Sequence, residues 1–176
     1  TGTGRVAYLV TAPNQFPTYL LNQIYEPDSA AQEQSIRSVS SGLAETLPAL
    51  ISRERLEGAG IVAGAIRDCQ NREVKGAIAT FSSTSASADH LEGAATYYFS
   101  AAATSLPVLH TASPFTNSDG LFVIFDVPPS DAAFIQVWGF TPDQDPATDE
   151  LTLLAELEAP AVGDALISAS MEPLRQ

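Results

Sequence analysis

The fold class this sequence predicts is mainly β, an antiparallel two-layer β-sandwich with an N-terminal helical segment packed on it. Three observations carry that expectation. From residue 61 onward short apolar runs recur, each closed by Gly, Pro, Asn, Asp or Ser. No segment in that part of the chain keeps the three-to-four spacing of an amphipathic helix. Apolar residues make up 45% and charged residues 16% of the 176, too apolar for a disordered chain and too weakly charged for a coiled coil.

Taken in order, the chain opens with a short candidate strand, RVAYLV, at 5–10. In QFPTYLLNQIY the side chains of Phe16, Tyr19, Leu20 and Ile24 fall three to four apart, which predicts one face of a short helix. Ser29 followed by Gln32 is a capping box, in which each side chain satisfies the other's free backbone N–H. Ile36, Val39, Leu43, Leu47 and Leu50 then form an apolar stripe of about four turns. Pro48 breaks or kinks that helix, with a last turn reaching Arg55. Residues 1–57 are therefore expected to be a helical segment, not an independent unit, laid on a sandwich of residues 58–176. The stripe covers an edge or end of the sandwich, or docks a partner.

Past Gly58-Ala59-Gly60 the period changes. Eight candidate strands follow, at 61–68, 74–83, 95–102, 108–112, 121–127, 132–140, 151–158 and 165–171. Gly64 and Gly76, inside two of these runs, predict bulges or close backbone approaches. The stretches 84–95 and 141–150 are polar, turn-rich loops.

Charge excludes several functions. With 21 acidic residues against 8 basic, and Lys75 the single lysine, the net charge is -13. Such a surface repels phosphate backbones and anionic lipid, so nucleic acid is not an expected partner. No apolar run reaches the roughly 18 residues of a membrane span. Cys69 is alone, so no intrachain disulfide forms, and its polar turn RDCQNREVKG points to an incidental thiol, not a nucleophile. The TGTG opening has no signal-peptide pattern and reads as a mature or truncated terminus.

Two segments together resemble the carboxypeptidase regulatory-like, or transthyretin-like, β-sandwich family. GAIRDCQNREVKGAIATFSS is similar to that family's opening hairpin, with Val74, Gly76 and Ala77 in the second strand. TNSDGLFVIFDVP is similar to its later hairpin and strand, with Asp119 and Gly120 in the turn, Phe122 and Ile124 on one face, and Val127-Pro128 closing the strand. The likeness spans residues 59–140 and is strongest to domains of secreted bacterial proteins and lipoproteins, which share an Asp-Cys turn like Asp68-Cys69 and a Tyr-Phe strand like Tyr98-Phe99. It departs at Pro129-Ser130-Asp131, where the family often has a glycine-led turn, and in the long insertion between the two segments. The resemblance implies an extracytoplasmic protein, secreted or anchored to the outer membrane.

Two kinds of enzyme with that fold require residue patterns that this chain does not supply. The hydroxyisourate hydrolases need an early histidine and a Tyr-Arg-Gly-Ser tail, whereas this chain ends MEPLRQ and has no histidine before His90. The intradiol dioxygenases hold iron with two tyrosines and two closely spaced histidines. Here His90 and His110 are far apart, and the adjacent Tyr97 and Tyr98 must face opposite sides of a strand. Asp143, Asp145, Asp149 and Glu150 offer carboxylates to a cation, but Pro142 and Pro146 favour a solvated turn. The serines at 82–87 and 100–105 hold no nucleophile elbow, and neither Gly2-Thr3-Gly4 nor Gly58-Ala59-Gly60 continues into a nucleotide loop. No catalytic residue, metal ligand or cofactor motif is assigned. Tyr98, Trp138 and Phe140 are the candidate binding residues, as an aromatic platform for a carbohydrate or another cell-envelope protein. The expected function is a non-catalytic accessory domain with a structural, adhesive or ligand-binding role. The alternative is a metal- or carbohydrate-dependent hydrolase component built from loops 84–95 and 141–150.

Overall fold

The computed structural model describes residues 4–25, 39–100 and 106–171. In chain order its elements are β1 (Gly4–Val10), β2 (Thr18–Tyr25), α1 (Ser41–Leu50), β3 (Gly60–Ile66), β4 (Ile78–Ser82), β5 (Ala95–Phe99), β6 (Pro107–Leu109), β7 (Leu121–Val127), β8 (Ser130–Gly139), β9 (Thr152–Ala161) and β10 (Leu166–Met171). Seven strands form one sheet in the order β1-β2-β10-β3-β7-β5-β6, and three form a second in the order β4-β8-β9. Pairing is antiparallel except at β10, which runs parallel to both β2 and β3. All eight runs anticipated after Gly60 form strands, and no helix among the described residues is long and apolar enough to cross a membrane.

The N-terminal helical segment is corrected by the structure. The run carrying Phe16, Tyr19, Leu20 and Ile24 is not a helix: residues 18–25 are strand β2. Two features disguised it. β2 lies between β1 and β10, and it buries Leu20 and Leu21 on opposite faces, so polar and apolar residues do not alternate. It also holds a bulge. Val6 pairs with Gln23 and Tyr8 with Leu20, leaving one extra residue on β2, and Asn22 takes up the turn at φ 58°. The extra residue shifts the phase of the apolar positions from two toward three and four. Of the residues described before β3, only α1 is helical, and Pro48 lies within it, two residues before its end. The capping box at Ser29 and Gln32, and Ile36 of the stripe, lie outside the described residues.

Helix α1 belongs to the crossover that a parallel relation requires. β2 and β3 both run parallel to β10, and the chain between them passes α1. Ala44 of α1 packs with Phe16, Ile61, Tyr97, Val123, Phe125 and Leu166 on the outer face of the seven-stranded sheet. Tyr97 meets Phe125 edge-on, ring centroids 5.5 Å apart. An apolar cavity of about 100 Å³ lies in this layer, walled by Phe16, Ile61, Phe125 and Leu166 among others. Beyond the helix, Arg53 pairs with Asp126 at 3.0 Å, while Arg55 pairs with Asp164 and stacks over the Phe16 ring.

The main core fills the space between the two sheets. Val62, Phe122, Ile124, Tyr98 and Ile167 from the larger sheet meet Phe81, Ile135 and Val137 from the smaller. Burial of each large apolar side chain contributes about 1.5–3 kcal/mol. Insertion of β10 beside β3 demands a small residue: a Cβ at Gly64 would lie 1.8 Å from the Ala169 carbonyl oxygen. Gly64→Ala is therefore expected to destabilise the fold by about 1–3 kcal/mol or more in urea unfolding. Gly42→Ala in α1, where a Cβ meets nothing within 4 Å, is expected to raise stability by about 0.4–1 kcal/mol. Equal effects of the two substitutions would contradict the β10 insertion.

Candidate functional site

The side chains with the most chemical capability gather along one edge of β4. That strand pairs with β8 on one side, and on the other it abuts the larger sheet with none of the described strands paired to it. The N–H and C=O groups of Ala77, Ala79 and Phe81 would be orphaned there. Each finds a partner. The Thr116 hydroxyl accepts from the Ala77 N–H at 3.0 Å and donates to the Val74 carbonyl at 2.8 Å, while the Thr116 N–H donates to the Ala77 carbonyl at 2.8 Å. From β5, the Tyr98 hydroxyl accepts from the Ala79 N–H at 2.9 Å and the Thr96 hydroxyl donates to the Ala79 carbonyl at 3.0 Å. From the loop between β4 and β5, His90 Nδ1 accepts from the Phe81 N–H at 3.3 Å, and the Leu91 N–H donates to the Phe81 carbonyl at 2.7 Å.

These bonds set the hydrogen-bonding roles of both imidazoles. His90 Nδ1 accepts, so the neutral ring carries its proton on Nε2. Thr96 Oγ1, 3.0 Å away, has its own proton on the Ala79 carbonyl and so accepts from Nε2. His110 Nδ1 lies 3.2 Å from the Thr96 carbonyl and donates to it, beside the His110 backbone N–H at 3.0 Å. The two imidazoles stand 6.2 Å apart, centroid to centroid. Burial, with the nearby His110, holds His90 below its ordinary pKa. Burial also pushes the Tyr98 phenol up to about 12. The histidines thus converge, though twenty residues apart in sequence. No carboxylate joins them: among the described residues no three His, Cys, Asp or Glu side chains gather where a metal ion could be held.

The candidate aromatics do not form one platform. Tyr98 lies inside the core, fully buried. Trp138 is half-buried on the outer face of the smaller sheet, where its register neighbours are Ile78 on β4 and Leu153 on β9. Its Nε1 is enclosed and has no hydrogen-bond partner among the described residues. Phe140, also half-buried, follows the end of β8. The next row of that face is polar. Gln136 is fully buried there, receiving the Thr80 hydroxyl at 3.3 Å and donating to the Thr84 carbonyl at 3.0 Å and Glu156 at 2.7 Å. Glu156 also accepts from the Ser85 hydroxyl and the Ala86 N–H, both at 2.8 Å. Partial burial alone would raise the Glu156 pKa, but these donors together hold it below its ordinary value. The pair of residues pins loop 83–87 onto the sheet.

The turn residues act locally. Gly120 takes φ 62°, and a Cβ there would lie 2.5 Å from the Ile66 carbonyl oxygen, while Asp119 Oδ1 accepts from the Leu121 N–H at 3.1 Å. Asp145 and Asp149 are used inside their own loop: Asp145 Oδ1 accepts from the Ala147 N–H at 3.0 Å and Asp149 Oδ2 from the Asp145 N–H at 2.8 Å. Cys69 is exposed, beside Asp68, whose carboxylate caps the Gln70 and Arg72 amides at 2.8 and 2.9 Å.

The edge seal was missed in the sequence, although β5 carries its signal. Thr96 and Tyr98 occupy the two inward positions of an otherwise apolar strand, and inward hydroxyls need partners. Tyr98→Phe leaves the Ala79 N–H without an acceptor and is expected to cost about 1–3 kcal/mol in urea unfolding. Faster amide exchange at Ala79 should accompany it, and unchanged exchange there would refute the assignment. Comparison of the chain with protein-family models, with curated proteins and with solved structures gives no match.

Proposed function

We propose that this chain is a non-catalytic β-sandwich module of an extracytoplasmic protein, of the transthyretin-like kind, that serves an adhesive or ligand-binding role through the outer face of its smaller sheet. The observation that carries this reading is the division of labour among the polar side chains. His90, Thr96, Tyr98 and Thr116 are committed to backbone partners along β4. Trp138, by contrast, keeps a partly open indole, and its enclosed N–H is bonded to no backbone or side-chain group among the described residues. An indole flanked by aliphatic side chains offers a stacking face for a sugar ring or a peptide side chain. The acidic surface, with net charge -13, disfavours nucleic acid and anionic lipid as partners.

The hydrolase alternative draws on one observation, the approach of His90 and His110. Their contacts favour a structural use, since three of the four ring nitrogens face protein groups at 3.0–3.3 Å.

Trp138 is the sole tryptophan, so its fluorescence reports on this face alone. Acrylamide is expected to quench it to an extent between that of a free indole and a fully buried one. Binding of a glycan or envelope-protein fragment should reduce that quenching. Trp138→Ala should abolish the binding with little change in thermal stability. Complete shielding of the indole from acrylamide would remove the platform, and binding that survives Trp138→Ala would place the ligand elsewhere.

A further inference from the structure

We propose that His90 is an acid-sensitive latch: neutral, it seals the Phe81 end of the β4 edge, and on protonation it releases residues 87–94 and frees the backbone there. The argument rests on hydrogen-bond direction. The Phe81 N–H is a donor aimed at His90 Nδ1, 3.3 Å away, and can be satisfied only by an unprotonated nitrogen. An imidazolium carries a proton on each nitrogen, so two N–H groups would then face one another. The other ring contact survives, because Nε2 already donates to Thr96 Oγ1. The break is confined to Phe81 and to the bonds strung along the same loop, Leu91 N–H to the Phe81 carbonyl and Ala94 N–H to the Leu91 carbonyl.

Among the described residues no carboxylate pairs with the ring to hold a positive charge. From β5 it meets Thr96, with the un-ionised Tyr98 beside it along the seal, and from β4 it meets the Phe81 backbone. From the turn after β6 comes His110, a second group able to carry positive charge. Asp89 and Glu92 of its own loop are exposed, and Asp89 accepts from the Ser87 hydroxyl at 3.3 Å. The far end of the loop is anchored independently, by Ser85 and Ala86 on Glu156. That carboxyl is held below its ordinary pKa and so stays ionised through mild acid. Release therefore begins after residue 86.

The sign follows from the direction of the shift. With His90 depressed in the folded protein, the unfolded chain binds the extra proton first as pH falls. The contribution of the neutral latch is whole above the ordinary value of 6.5 and is lost progressively below it.

The test is an NMR titration of the intact chain from neutral pH to about pH 4.5, following the His90 ring and individual amide exchange rates corrected for intrinsic chemistry. The expected result is a His90 midpoint below 6.5 and, at that midpoint, loss of protection at Phe81 and Leu91 by roughly tenfold or more. Ala79, sealed by Tyr98 on the same edge, should keep its protection. His110→Gln should raise the His90 midpoint. His90→Gln, with an amide oxygen to accept from Phe81 and no proton to gain, should remove the acid-dependent loss. Protection at Phe81 that persists after His90 has titrated would overturn the proposal. So would an equal acid-dependent loss in His90→Gln. If that variant does not fold, the contrast between Phe81 and Ala79 in the natural chain decides.

Discussion

Strand β4 sits where two sheets meet, and its unpaired side is the constraint around which the molecule is arranged. A strand edge turned inward cannot leave its amides and carbonyls to water, and each orphan would cost on the order of a hydrogen bond or more. A neighbouring strand would solve this by extending the sheet, but it would also abolish the corner that makes two layers. The chain instead uses side chains as surrogate strand partners. Thr96 and Tyr98 reach across from β5 to Ala79, with Thr116 and His90 on either side. The same side chains thus terminate one sheet and fasten it to the other.

The opposite edge of the smaller sheet is handled by different means. Along β9, Glu158 and Pro160 are exposed. A charge resists burial against an incoming strand, and a proline offers no amide proton to pair. One edge is closed from within and the other is guarded from without, and the outer face lies between them. Trp138 lies on that face. Beside it, Gln136 and Glu156 fix the loop that covers the polar row.

The later strands were legible because each is short, apolar on at least one face and bounded by turn residues. β7 illustrates this: Leu121–Val127 is bracketed by Gly120 and Pro128. β2 was illegible for two reasons the sequence does not print. Its ladder neighbour β10 lies some 140 residues further on, both of its faces carry buried leucines, and a bulge at Asn22 breaks its period. Both reasons belong to tertiary pairing. The site divides in the same way. Opposite faces for Tyr97 and Tyr98 follow from strand geometry and hold in the structure, with Tyr97 under α1 and Tyr98 in the main core. The meeting of His90 with Phe81 and Thr96 depends on the path of a loop, and no local rule encodes that path.

The place of β10 bears on how the chain is made. Among the described strands, β1 and β2 connect to the rest of their sheet only through β10, which is synthesised after all of them. Until Leu166–Met171 has emerged, the first hairpin has no ladder to join and Gly64 faces an empty slot. The β-hairpins between β3 and β9 can assemble from neighbouring sequence, while the N-terminal pair must wait for β10. The central pairing of the larger sheet is therefore a late, long-range step, and the waiting hairpin is the part of the emerging chain most exposed to wrong pairing.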